Sequence, residues 1–281
     1  MALLPDHAGP AQRLLHAGFL AYCGLVFAFL ILPLVVIVPL SFNAEPYFTL
    51  SRGMLTLDPA AFSLRWYEDF FGSAVWRSAA VNSLIVATVS TLLATVLGTL
   101  AALGLSRPQM PCRQAVTALL ISPLIVPLII AGAGMYFVFA RLGLVGTFAG
   151  LVLSHTVLGA PFVLITVTAT LSKFDTTLVN AAAISGAGPV TILRRVTLPI
   201  IAPGVVSGAI FAFGSSLDEI VVTLFIGSGE TQTVPRQMWV GLREQLSPTI
   251  LAVATLLIAL SVLLLACVGL LRRLGRGRTP A

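Results

Sequence analysis

The stretch NAAAISGAGPVTILRRVTLP, Asn180 to Pro199, holds Gly186, Gly188 and the adjacent pair Arg194 and Arg195, but no catalytic group. Its flanks decide the fold. Residues 145–171 before it and 201–226 after it are continuous apolar runs, and about 20 such residues cross a hydrocarbon core of about 30 Å. Moving outward, residues 19–42, 80–105, 115–140 and 249–271 form four more runs of the same kind. The runs do not alternate, and backbone groups in lipid must be satisfied within a helix or a closed barrel, so helices are expected. We therefore expect an all-α membrane protein with six transmembrane helices.

Composition agrees. Of 281 residues 58% are hydrophobic and 9% charged, with a mean hydropathy of +1.03, where a soluble domain carries about 25% charged residues. The first run is long and holds Pro33 and Pro39, which reads as a retained span and not as a cleaved secretory signal. Cys23, Cys112 and Cys267 fall in or beside the runs with no CxxC pair, so neither a disulfide nor a metal site is expected.

Basic residues set the orientation. With the N-terminus inside, Arg13, Arg107, Arg113, Lys173, Arg194, Arg195, Arg272, Arg273, Arg276 and Arg278 are cytoplasmic, and Arg52, Arg65, Arg77, Arg141, Arg236 and Arg243 are outside. Ten against six favours both termini in the cytoplasm, because basic residues near spans are retained there. Acids show the converse: Glu45, Asp58, Glu68, Asp69, Glu230 and Glu244 fall outside, and only Asp6 and Asp175 inside. The net charge of +6 is thus a topology signal, and nucleic acid is not an expected partner.

The opening stretch is then a cytoplasmic loop between spans four and five. Thr176, Thr177 and the Ala-rich segment favour one short helix, the sequence GAG interrupts, and Pro189 suits the first turn of a second. Two small helices at a glycine corner make a compact knob whose Ala181, Ala182, Gly186 and Gly188 allow another protein to approach closely. The alternative is an ordinary re-entry loop held inside by its arginines.

The loop resembles the EAA loop of ABC importer permeases: E-A-A, three residues, G, nine residues, I-x-L-P, a segment that in that family inserts into a cleft of the cytoplasmic ATPase. Ala181, Ala182, Gly186, Leu198 and Pro199 stand at the matching positions, with Val196 for Ile and Asn180 for Glu, which removes a charge. FSLRWYEDFF from Phe62, NSLIVATVSTLLATVLGTLAAL from Asn82, SSLDEIVVTLFI from Ser215 and ETQTVPRQMWVGLREQLSPTILAVATLLI from Glu230 are similar to permeases of spermidine/putrescine importers, a subgroup that also handles other small solutes. The resemblance implies a MetI-like, type I importer permease fold in one domain over residues 1–281, with a coupling loop at about 172–199 in a bacterial inner membrane. Implied partners are cytoplasmic ATP-binding subunits, a second permease subunit giving a heterodimer, and an extracytoplasmic substrate-binding protein, with no cofactor and no catalytic residue. The only lysine, Lys173, is followed by Phe174, so the chain has no Walker A loop, and ATP hydrolysis is expected in a separate subunit. An ATP-independent channel or carrier would need no coupling loop, and a membrane enzyme would need a metal cluster or a Ser–His–Asp set that no single membrane face assembles.

GSSLDEI, Gly214 to Ile220, is the second informative stretch. A carboxylate in a span costs about 2.5–3.5 kcal/mol on insertion scales, so Asp218 and Glu219 need water, cations or partners. On a continuous helix they lie about 100° apart, with Asp218 about 22 Å along from Pro203. They face either a substrate pathway or the outer membrane boundary, and the insertion cost favours the pathway. An acidic path attracts cations, and a polyamine presents spaced ammonium groups. An anion would need arginines at that depth, and runs five and six hold none.

Weaker readings attach elsewhere. His155 lines the path or is held by a backbone carbonyl; Asn82 and Ser83 cap the start of span two; Pro123, Pro127, Gly132 and Gly134 kink and pack the third span. Trp66, Tyr67, Trp76 and Trp239 are interface anchors or receive a cation from a delivery protein. Phe62, Trp66 and Phe70, spaced by four, form one stripe of an outer amphipathic helix, in a segment that contacts either a substrate-binding protein or the membrane surface.

Overall fold

A computed structural model describes residues 9–107, 109–244 and 247–276; the charges expected at Asp6 and Arg278 lie outside the described residues. The helices run in the order α1 (Pro10–Leu40), α2 (Arg52–Leu55), α3 (Arg65–Gly72), α4 (Ala74–Leu105), α5 (Arg113–Ile125), α6 (Leu128–Arg141), α7 (Phe148–Leu171), α8 (Thr177–Ile184), α9 (Pro189–Ile192), a π-helical turn (Leu193–Thr197), α10 (Leu198–Leu217), α11 (Val221–Ile226), α12 (Val234–Glu244) and α13 (Thr249–Arg276). Among the described residues five helical stretches are long and apolar enough to cross a membrane, and α5 with α6 make a sixth when that bent pair counts as one span.

The third run bends more sharply than the single kinked helix expected over residues 115–140. It breaks between α5 and α6 with a bend of 105°. Pro127 causes the break: its ring disfavours helical geometry in the preceding residue, and Val126 is extended at φ −67° and ψ 133°. Pro127 also lacks an N–H, so the bend leaves one fewer donor to satisfy. Beyond it Gly132 packs under Phe225, whose ring would lie 2.8 Å from an added Cβ, whereas Gly134 meets nothing within 4 Å.

Contacts group the chain into two units. The first holds the chain up to Phe70 together with Leu246–Ala259, and its polar centre is Asn43. That side chain is buried, donates to the carbonyls of Tyr47 and Thr49 at 3.2 and 3.0 Å, and accepts from the Glu45 amide at 3.0 Å. Its own carbonyl accepts from the indole of Trp66 at 2.7 Å. Trp66 and Phe70 are therefore buried residues of α3, while Phe62 lies outside that helix and is partly exposed. Tyr67 bonds Ser41 at 2.7 Å, and Thr249 donates to Asp69 at 2.6 Å. Trp66 and Tyr67 are thus tied into this unit by hydrogen bonds.

The second unit, Phe71–Gln245 and the chain from Leu260 on, is built around α7. Of its most apolar window 61% is buried, so α7 is a core span. On one side Gly98 of α4 lies so close that an added Cβ would stand 2.8 Å from both the Ala160 carbonyl and the Val163 Cβ. On the other, a Cβ on Gly208 of α10 would stand 2.7 Å from the Val163 Cα. Ala94, Ala102, Leu105, Leu164, Val167, Ile201 and Ala212 fill the remaining space. Lipid offers no hydrophobic drive between helices, so close backbone packing over small residues supplies the attraction.

Overpacking a tight contact costs about 1–3 kcal/mol. Gly98→Ala and Gly208→Ala are expected to lower the thermal unfolding midpoint of the detergent-solubilised protein. Gly134→Ala, with open space around its Cβ, is expected to leave it unchanged, and equal midpoints for all three would contradict the packing account.

Candidate functional site

The loop between α7 and α10 opens with Asp175, whose carboxylate accepts from the Thr177 amide at 2.9 Å and starts α8. Hydrogen bonds from Thr177 hold the Asp175 carboxyl below its ordinary value, so this contact persists at neutral pH and is lost as pH falls through that lowered pKa. At the other end of α8 the Gly186 amide donates to Ala183 and the Ala187 amide to Ala182, both at 3.0 Å. This paired closure requires a left-handed residue, and Gly186 supplies it with φ +83°. Gly188 and Pro189 then begin α9, with Pro at a first-turn position where its missing N–H costs nothing.

Here the structure departs from two small helices and a re-entry. The second helix does not end: it passes through the π-helical turn at Leu193–Thr197 and becomes α10, giving one stretch from Pro189 to Leu217. Asn180, Ala181, Gly186 and Pro199 are exposed and Ala182 and Leu198 half-buried. The exposed apolar residues around the corner are large, with Leu178 at 46%, Val190 at 64% and Ile184 at 88% accessibility.

The fifth run is also broken, against the continuous helix expected over residues 201–226. Helix α10 ends at Leu217, and Asp218 is its C-cap. The Glu219 carboxylate then turns forward and accepts the Val222 amide at 2.8 Å, closing the first turn of α11. A carboxylate there satisfies an orphan donor and suits the positive end of the helix. The distance along one helix and the 100° separation therefore do not describe this pair: Asp218 is exposed, and Glu219 is buried at 8% accessibility.

Polar side chains on neighbouring helices hold the break. His155 of α7 meets the Ser216 hydroxyl at 2.7 Å through Nδ1 and the Thr223 hydroxyl at 3.1 Å through Nε2. Asn82 and Ser83 lie two turns inside α4 and do not open it. Asn82 donates to the Glu230 and Gln232 carbonyls at 2.9 and 3.0 Å, and Ser83 accepts the Val234 amide at 2.8 Å. Sequence reasoning passed over Thr91, Thr95 and Thr99, spaced by four on α4, whose buried hydroxyls have no partner among the described residues. Their i, i+4, i+8 spacing was the available signal.

Residues 19–277 match the family described as the binding-protein-dependent transport system inner membrane component. The chain belongs to that family. It is a multi-pass inner-membrane permease of the ABC importer class, and its role is transport and not catalysis. The permease is 32% identical over 253 residues, 90% of its length and 95% of the relative's, to the spermidine/putrescine transport system permease protein PotC of Haemophilus influenzae. It is 30% identical to the putrescine transport system permease protein PotI of Escherichia coli over 83% of this chain and 82% of that one. Among solved structures, a bacterial ABC transporter that imports the acidic polysaccharide alginate matches with TM-score 0.72 at 13% identity, covering 94% of the permease and 99% of that chain. This last likeness concerns the fold alone.

In the permease two of the aromatics read as cation acceptors, Trp66 and Trp239, each already carry an arginine. Arg65 lies 4.5 Å from the Trp66 ring centroid and Arg243 4.8 Å from that of Trp239. Trp76 is buried in α4. The segment after α11 is fixed by Asn82, Ser83 and Arg236, whose guanidinium donates to the Ser228 carbonyl at 2.6 Å. Asn82→Ala removes two bonds to that segment, worth about 1–2 kcal/mol together. Hydrogen exchange at residues 229–234 is expected to rise roughly tenfold, by the conversion of 1.4 kcal/mol per decade. Unchanged protection would show that the segment is held without Asn82.

Proposed function

We propose that this permease forms half of the membrane pathway of an ATP-driven importer for polyamines or a similar small cationic solute. One observation carries the substrate class: the relatives similar over most of the chain are spermidine/putrescine and putrescine permeases by name. The Asp218 carboxylate is exposed beside the helix break, and a cationic solute would gain from it. Asp218 and Glu219 are the pathway residues of this proposal. A second permease chain, as a heterodimer partner, completes the path, since one chain of this size does not enclose a polar route. Both termini lie in the cytoplasm by the distribution of basic residues.

Coupling falls to the loop at about 172–199. Asn180, Ala181, Ala182, Gly186, Leu198 and Pro199 would meet the cytoplasmic ATP-binding subunit, and the exposed Leu178, Ile184 and Val190 supply apolar contact area. Asn180, in place of Glu, contributes hydrogen bonds without charge. The outer segments receive a substrate-binding protein.

A second reading, import of an anionic solute, has one observation in its favour. Lys173 lines a cavity of about 330 Å³ between α7 and α10 together with Thr166, Thr170 and Ser207. Uptake by the whole complex in membrane vesicles separates the two readings. Labelled putrescine or spermidine is expected to accumulate with ATP, and Asp218→Asn to reduce the rate roughly tenfold, about 1.4 kcal/mol of barrier. Full uptake by Asp218→Asn removes that carboxylate from the path, and ATP-driven accumulation of an anion in place of polyamines overturns the substrate class.

The corner has its own test. Gly186→Trp combines bulk with a backbone conformation that L-residues avoid, whereas Asn tolerates φ > 0. Gly186→Trp is expected to lose co-purification with the ATPase subunit and ATP-driven uptake, and Gly186→Asn to retain both. Wild-type uptake by Gly186→Trp would remove the corner from coupling.

A further inference from the structure

His155 is the buried ionisable group for which the proposed mechanism has no use, and its surroundings give it one. It is 2% accessible, sits on the core helix α7, and reaches two elements that the chain break has separated: Ser216 in the last turn of α10 and Thr223 in α11. The chain continues on both sides. Ser216 lies 3.3 Å from Ser90 of α4, and Thr223 donates to the Glu219 carbonyl at 3.3 Å.

Each hydroxyl has one proton to give, and this restricts the order. With the imidazole neutral and its proton on Nε2, Thr223 accepts from His155 and keeps its own proton for the Glu219 carbonyl. Nδ1 then accepts from Ser216, which in turn accepts from Ser90. Ser90 then gives up its bond to the Ala87 carbonyl, at 3.3 Å. With the proton on Nδ1, Thr223 must turn its single proton to Nε2, and the Glu219 carbonyl loses a donor. Each tautomer leaves one backbone carbonyl without its side-chain donor, and in either the bonds run without a gap from α4 through α10 and α7 to Thr223 of α11. The Glu219 carboxylate is tied to the Val222 amide at 2.8 Å.

We propose that His155 is a positioning residue for translocation: it clamps the end of α10 to α11, fixes the break between them, and so sets where Asp218 and Glu219 stand. The proposal rests on the reading of Asp218 and Glu219 as pathway residues. His155 itself does not touch the solute. A clamp of this kind also explains why the break survives in a segment with neither proline nor glycine between Ser215 and Ile226.

The test uses the complete complex in vesicles, with Cys23, Cys112 and Cys267 replaced by Ser and a reporter at Val222→Cys, a fully buried position in α11. A water-soluble maleimide reads whether α11 is held, and putrescine uptake reads whether the break is placed for transport. His155→Leu removes both arms, and Ser216→Ala and Thr223→Val remove one each and carry the test if the leucine variant fails to assemble. His155→Gln restores one donor and one acceptor. Labelling is expected to accelerate roughly tenfold in His155→Leu, the scale of one or two buried hydrogen bonds, and less in the single-arm variants. Maximal uptake is expected to fall by a similar factor with the half-saturating concentration of loaded binding protein unchanged, and His155→Gln to restore both readouts to within about threefold. Equal labelling with His and Leu at 155, or faster labelling with full uptake, overturns the positioning role. Equal labelling while Asp218→Asn is impaired overturns it alone; full uptake by Asp218→Asn with the labelling pattern intact removes the pathway reading as well.

Discussion

Val163 is wedged between two glycines on different helices. Gly98 of α4 abuts it on one side and Gly208 of α10 on the other, each at a distance where a single added carbon would collide with backbone or Cβ. In lipid this contact has no solvent-driven alternative, so packing attraction and the entropy of released lipid must hold the helices together. Because α7 is pinned on both sides, the side chains further along it act from a fixed support. Leu151, Val152 and Leu158 meet Val86, Val222 and Ile226 in a second apolar cluster, and His155 lies within the same stretch of α7.

The two helix breaks solve one problem by different chemistry. Backbone groups freed inside a membrane protein need partners from side chains, water or adjusted helical bonds. At Val126 the break comes with a residue that has no N–H, and the proline both makes the bend and removes a donor. At Asp218 to Ile220 no such residue exists. There the carboxylate of Glu219 takes up the Val222 amide and the Thr223 hydroxyl the Glu219 carbonyl, while the imidazole of His155 links Thr223 to Ser216. One break is written in backbone chemistry, the other in side chains borrowed from α7.

This difference explains what was legible in the sequence. The all-α class, the spans and the glycine corner follow from apolar run length and from Gly186, Gly188 and Pro189, whose effects are local. The kink at Pro127 was legible too, since the residue before a proline avoids helical geometry; its size, which splits the run into two helices, was not. The break after Leu217 was not, because β-branched Val221, Val222 and Thr223 only weakly disfavour helix and the residue that stabilises the break, His155, is 61–68 positions away. Asn82 was misplaced for the same reason: its partners are about 150 residues distant, and a local reading assigned it a local cap. The roles of the loop residues and of Asp218 were read from a family pattern and from charge, and both depend on partners beyond this chain.

The π-helical turn at Leu193–Thr197 joins the exposed corner to the packed part of α10 without a flexible link. A π turn carries one residue more than the α-helical count, and each residue rotates a helix by about 100°. The turn therefore sets the angle between two faces: the one at α9 that carries Val190, and the one that seats Gly204 and Gly208 against α7. Composition within the turn is secondary to its length. The segment works as a phase-setting collar on a shaft: the outer end is clocked against the core by residue count.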